Sequence, residues 1–197
     1  MSRERSNKLI TAAIILGSIL IIVSLATVAV HHFSQKSASE NLPVIVENMK
    51  SMRPEETHGI TGEMHDPEMP VVEIEGNDFV GMIEVPKYSK ALPVYSSWEK
   101  NKITDFPCRY MGSMYDGSLI VGTVEDHGQS DIAKGIAGGD ELTFTDVTGL
   151  KYNYIITDAY KTKDVSTEAL TAIDGELVLF VRSTYGTDYM VICCNSR

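Results

Sequence analysis

Positive charge is scarce in this chain: 17 Lys and Arg stand against 27 Asp and Glu, a formal net charge of −10. A surface with that balance repels polyanions at long range, which argues against nucleic acid, anionic lipid headgroups and teichoic-type polymers as partners. Cysteine is scarce too. The 3 present, Cys108, Cys193 and Cys194, are an odd number, so at least one thiol is free even if the others pair. Neighbouring residues of a strand point to opposite faces, so Cys193 and Cys194 would join each other only under strain. All three thiols read as small buried side chains. No internal repeat is present, and 197 residues accommodate one ordinary domain plus an anchor.

Charge of either sign is missing from Leu9 to Val30, a run of Leu, Ile, Val and Ala interrupted only by Thr11, Gly17, Ser18, Ser24 and Thr27. As a helix it reaches about 33 Å, enough to cross a hydrocarbon core of about 30 Å. A cleaved signal peptide has a shorter apolar region and an Ala-x-Ala-like site, whereas His31, His32 and Phe33 follow here. Arg3, Arg5 and Lys8 precede the run, and no Lys or Arg follows until Lys36. The positive-inside tendency then keeps the N-terminus cytoplasmic. The expectation is a single-pass plasma-membrane protein: cytoplasmic tail 1–8, transmembrane anchor 9–30, polar stalk 31–70 and extracellular domain 71–197.

From Ser34 to about Pro70 the sequence is polar and acidic, and Pro43, Pro54, Pro67 and Pro70 break any long periodicity. A short helix over Val44 to Met52 fits, but most of the stretch reads as a stalk. After Pro70 the texture changes to short β-branched runs separated by Gly, Asp and Asn, which marks an all-β domain. Strands are predicted at Val71 to Ile74, Phe79 to Val85, Ala91 to Tyr95, Leu119 to Val124, Glu141 to Asp146, Lys151 to Tyr160, Leu177 to Arg182 and Tyr189 to Cys194. Val147-Thr148-Gly149-Leu150 closes the clearest hairpin, with Gly149 supplying a positive φ. Ser130-Asp131 can cap a helix over Ile132 to Ala137, and Ser166 one over Thr167 to Leu170.

The order of these signals resembles the sortase family. Gly81-Met82-Ile83-Glu84-Val85-Pro86 followed by Ala91-Leu92-Pro93-Val94-Tyr95 is similar to the opening of a sortase domain. Gly117-Ser118-Leu119-Ile120-Val121-Gly122 looks like the approach to the family histidine, Gly139-Asp140-Glu141-Leu142 like its Gly-Asp strand, and Leu177-Val178-Leu179-Phe180 like the strand that ends in the nucleophile. The resemblance covers about Phe79 to Cys194. It implies a closed eight-stranded barrel with short helices on the surface of a Gram-positive-type cell. It also implies a cysteine transpeptidase that joins surface proteins to the cell wall or pili.

The resemblance places the catalytic histidine, cysteine and arginine at Thr123, Arg182 and Tyr189, with Asp188 beside the last. A hydroxyl does not titrate near neutral pH, a guanidinium has only donors, and a phenol brings no positive charge. The reading is therefore a non-catalytic homologue that binds a peptide, protein or wall component in a cleft formed by Thr123, Arg182, Asp188 and Tyr189. Two alternatives stand beside it: an active transpeptidase with relocated residues, His127 and Cys108, and a structural accessory of a surface-protein or pilus assembly system. No cofactor is required. Glu125, Asp126 and Asp131 form a weak calcium candidate, against the ordinary reading of solvated loop acids. Asp66-Pro67 resembles the lid of pilin-type sortases, although a Pro-rich stalk yields such a pair by chance. Trp98, the single Trp, suits core packing better than a cleft wall.

Overall fold

The computed structural model describes residues 18–26, 42–51, 68–125, 135–183 and 186–197. The chain divides into two compact units, Met1–Ala38 and Ser39–Arg197. In the first, residues 18–26 are helical and Ile19, Leu20, Ile21, Ile22, Val23 and Leu25 are exposed. The rest of the expected anchor lies outside the described residues. Among the described residues no helix is long and apolar enough to cross a membrane.

The second unit is built on nine strands: β1 (Val72–Ile74), β2 (Asn77–Val85), β3 (Lys90–Tyr95), β4 (Cys108–Met111), β5 (Leu119–Val124), β6 (Glu141–Asp146), β7 (Lys151–Thr162), β8 (Leu177–Arg182) and β9 (Tyr189–Ser196). Eight of them close a ring in the order β2-β3-β4-β5-β8-β9-β7-β6, with β6 returning to β2. β1 pairs only with the first residues of β2, outside the ring. The β3–β4 and β5–β8 pairs are parallel and the other neighbours antiparallel.

The expected eight-stranded barrel is present, but its membership differs from the sequence reading. The strand at Val71 to Ile74 is not a stave, and β4, read from sequence as a loop around Cys108, is one. β4 is short and meets β3 at a single pair, Tyr95 with Cys108, and β5 across a bulge. Four residues without alternation give little period-two signal.

Alternation along the strands separates an interior from an outer face. Val80, Ile83, Leu92, Val121, Leu142, Phe144, Ile156, Leu179 and Ile192 fill the interior. The predicted hairpin joins β6 to β7, with Gly149 at φ 90°. Asp146 organises this turn. Its Oδ1 accepts from the Thr148 amide, the Thr148 hydroxyl and the Leu150 amide, and its Oδ2 accepts from the Tyr115 hydroxyl at 3.0 Å. A buried carboxylate with four donors is adequately solvated by the protein itself.

Two apolar layers cover parts of the outer face. Residues 42–51 form helix α1, which lays Leu42, Ile45 and Met49 against Ile74, Phe79, Tyr95 and Phe106. The spacing of three and then four places those residues on one helical face. Part of the stretch expected to be stalk therefore packs on the barrel, Ile45 at 1% exposure. Its polar residues occupy the solvent side of an amphipathic helix. The second layer is helix α2 (Thr167–Thr171), capped as predicted by Ser166, whose hydroxyl accepts from the Ala169 amide at 3.3 Å. Leu170 packs there with Ile120, Val178, Phe180 and Val191. Of the helix expected over Ile132 to Ala137, residues 132–134 lie outside the described residues and 135–137 are not helical.

Candidate functional site

Thr123, Arg182 and Tyr189 stand at the same end of three adjacent strands, β5, β8 and β9. Register decides which of their side chains share a face. Arg182 pairs with Val124 on one side and Tyr189 on the other, whereas Thr123 pairs with Val181. Val181 belongs to the barrel interior, as do Val121 and Leu119 on the strand of Thr123. Thr123 accordingly points inward at 4% exposure, while Arg182 is exposed on the outer face. The cleft expected from sequence thus has its residues at one end but divided between two faces. The outer-face neighbour of Arg182 on β5 is Val124, a position that sequence reasoning did not single out.

The outer face next to Arg182 is filled by aromatic rings. Trp98 packs edge-on against Tyr110 with centroids 5.2 Å apart and lies 5.5 Å from Phe180, and Phe180 lies 6.3 Å from Tyr189. Gly122 makes this stacking feasible, since a Cβ there would overlap the Phe180 ring and meet Trp98 at 2.5 Å. The Tyr110 hydroxyl and the Thr167 hydroxyl, 2.9 Å apart, tie the cluster to α2. Trp98 is partly buried and packs within this layer.

Beyond the strand ends lies a depression of about 210 Å³, lined by Glu125, Lys161, Val181, Ser183, Gly186, Asp188, Tyr189 and Met190. The Ser183 amide donates to the Asp188 carbonyl at 3.1 Å, closing the β8–β9 turn, and the Glu125 amide donates to the Arg182 carbonyl at 2.7 Å. Val181 and Met190 supply an apolar floor, and Lys161, in register with Met190, a cation at the rim. Lys161 was missed in the sequence because its position beside β9 depends on a bulge between Ile156 and Asp158. Of the four residues expected in the cleft, Asp188 and Tyr189 line this depression, and Thr123 and Arg182 are not among its lining residues. Among the described residues Arg182 forms no ion pair with Asp188.

The thiols lie elsewhere. Cys108, on β4, is fully buried, and its Sγ reaches the Phe106 carbonyl at 3.5 Å. Burial, with Glu99 and Asp105 adding negative potential, pushes its pKa up to about 12. Burial also pushes the Cys194 thiol up to about 12 and raises that of Cys193, which feels Asp158 as well. All three are free thiols. His127, Asp126 and Asp131 lie outside the described residues, as does Asp66-Pro67. Among the described residues no group of three potential metal ligands gathers.

No family model matches the sequence, and no curated protein matches it. Solved structures do match. Sortase A from Corynebacterium diphtheriae superposes with a TM-score of 0.53 at 11% identity, over 61% of this chain and 61% of that one. Sortase A from Listeria monocytogenes gives 0.52 at 15% identity, over 60% of this chain and 87% of that one. Sortase C1 from Streptococcus agalactiae gives 0.52 at 19% identity, over 64% and 70% respectively. The chain thus spans under two thirds of the Corynebacterium protein. The barrel has a sortase-like fold. Fold alone does not carry an activity.

Proposed function

We propose that this chain is a membrane-anchored, surface-displayed, non-catalytic protein of sortase-like fold that binds a peptide segment of another protein at the β5–β8–β9 end of the barrel. The observation that carries the reading is the outer-face row Val124, Arg182, Tyr189, which contains no thiol and no imidazole. Thioester chemistry needs a thiolate within about 3 Å of its acid. The three thiols are buried and weakly acidic, which supports loss of that chemistry.

A depression with an apolar floor and a polar rim suits the end of an extended peptide, and Lys161 at the rim, with Arg182 just outside it on the outer face, favours a carboxylate over an amide against the opposing Glu125 and Asp188. The test is incubation of the protein with sorting-type peptides, scored by calorimetry for binding and by mass spectrometry for cleavage. Saturable binding without cleavage is expected. Cleavage that disappears in Cys108→Ala or His127→Ala would replace this reading with an active transpeptidase, and absence of any binding would favour a structural accessory.

A further inference from the structure

The opposite end of the barrel carries a second cavity. β5 and β8 run parallel for six residues each, so their starts lie about 17 Å from the ends that form the first depression. At the starts, Met114, Asp116, Tyr152, Tyr154, Glu176 and Ser196 surround a space of about 410 Å³. Its volume falls within the range of about 300–1,000 Å³ typical of small-ligand sites. None of its lining residues is a Lys, Arg or His.

Three features define what such a space would take. The first is directed negative charge. The Glu176 carboxylate is fixed by the Ser196 amide and hydroxyl, each at 3.0 Å, while Asp116 engages Ser118 through Oδ1 and leaves Oδ2 without a hydrogen bond among the described residues.

The second feature is an under-used hydroxyl. Tyr154 is 3% exposed, and its hydroxyl reaches only the Met114 thioether at 3.8 Å, a weak acceptor. The oxygen accepts nothing among the described residues. Burial and then Glu176 raise its pKa, so it remains a neutral hydroxyl whose oxygen is able to accept a hydrogen bond.

The third feature is the half-buried Tyr152 ring, 6.5 Å from that of Tyr115, which forms part of the wall. A metal ion is poorly served by this set, because two carboxylates without a third ligand leave a hard cation under-coordinated.

We propose that this cavity binds a primary alkylammonium group, with Asp116 and Glu176 supplying charge, the Tyr154 oxygen accepting one N–H, and the Met114 and Tyr152 surfaces packing along the alkyl chain. An ammonium has three donors and no acceptor, which matches a wall of two carboxylates and an unused hydroxyl oxygen. The inference is independent of the peptide-binding reading, since the two sites share no residue.

The test uses the full chain in a maltoside detergent with isotope-labelled tyrosine rings, titrated with n-pentylamine and, separately, with n-pentanol. The amine should shift the Tyr152 and Tyr154 ring resonances saturably, and the alcohol should not. Asp116→Asn should weaken the amine by about fivefold, the scale of one partly exposed charge contact, and Tyr152→Leu by a similar factor. Asp188→Asn, at the far end, should leave the amine affinity unchanged. Equal shifts from amine and alcohol, a shift that never saturates, or a loss in Asp188→Asn as large as in Asp116→Asn would each overturn the assignment.

Discussion

Val124, rather than Thr123, lies beside Arg182 on the outer face of the barrel, because the parallel β5–β8 register pairs Val124 with Arg182 and Thr123 with the inward-facing Val181. Neighbouring strands are about 4.8 Å apart, so side chains introduced at 124 and 182 stand within reach of each other. A histidine at 123 would instead enter the apolar interior.

The first prediction follows directly. Thr123→His should lower stability by about 2–4 kcal/mol in chemical denaturation, the cost of burying a polar ring that lacks partners. Val124→His combined with Arg182→Cys should give a thiol that alkylates severalfold faster at about pH 6 than Arg182→Cys alone, because an adjacent imidazolium, protonated at that pH, favours the thiolate. The alkylation rate measures it. Identical rates in the single and double variants would show that the two positions do not share a face.

The aromatic layer over Gly122 gives a second expectation. Gly122→Ala forces a methyl into the Phe180 ring and against Trp98, and overpacking of this kind costs about 1–3 kcal/mol. Adding Phe180→Leu should recover part of that loss, so the double variant should be more stable than the sum of the singles implies. Strict additivity in thermal denaturation would refute the contact.

Peptide selection at the first depression can be given a magnitude. Arg182 is exposed and Lys161 sits at a solvated rim, where a charge contact contributes about 0.2–1 kcal/mol. A peptide with a free carboxylate should therefore bind about two- to fivefold more tightly than its amide, and raised salt should erase the difference. Arg182→Gln should shrink it. A preference that persisted undiminished in both Arg182→Gln and Lys161→Gln would place the peptide elsewhere.

Alkaline pH should weaken the fold early. The Cys108, Cys194 and Tyr152 acids are held up to about 12 by burial, against ordinary values of about 8.5 for thiols and about 10 for phenols. A raised folded value means the stabilisation is complete below the unfolded pKa and is lost as pH climbs toward the folded one. The melting temperature should therefore begin to fall above about pH 8.5, and more steeply above about pH 10. Cys108→Ala should remove part of the earlier phase and leave the later one. A melting temperature that stayed level to about pH 11 would contradict the burial of these groups.

Much of the barrel was legible because its long strands alternate or run apolar between Gly and Asp punctuation: β5, β6 and β8 begin and end where the sequence places them. β4 was illegible for the opposite reason, since Cys108-Arg109-Tyr110-Met111 gains strand geometry from its neighbours rather than from its own pattern. The candidate site was half legible. Its position came from the order of motifs, but the face taken by Thr123 depends on pairing register, which one strand does not encode alone. The second cavity gave no linear signal, because Asp116, Tyr154 and Glu176 come from three separate segments.

The position of β1 outside the closed ring bears on how this unit responds to mechanical force. A pull on the N-terminal side of β1 loads its three pairs with β2, Val72–Phe79, Glu73–Asp78 and Ile74–Asn77, one after another, so the short strand unzips at low force. The ring behind it is held on both flanks, and its shortest seam is the single β3–β4 pair of Tyr95 with Cys108. A pull from that side meets α1 first, seated through Ile45 on Ile74 and Phe79, so β1 is exposed to load only after the helix leaves its apolar seat.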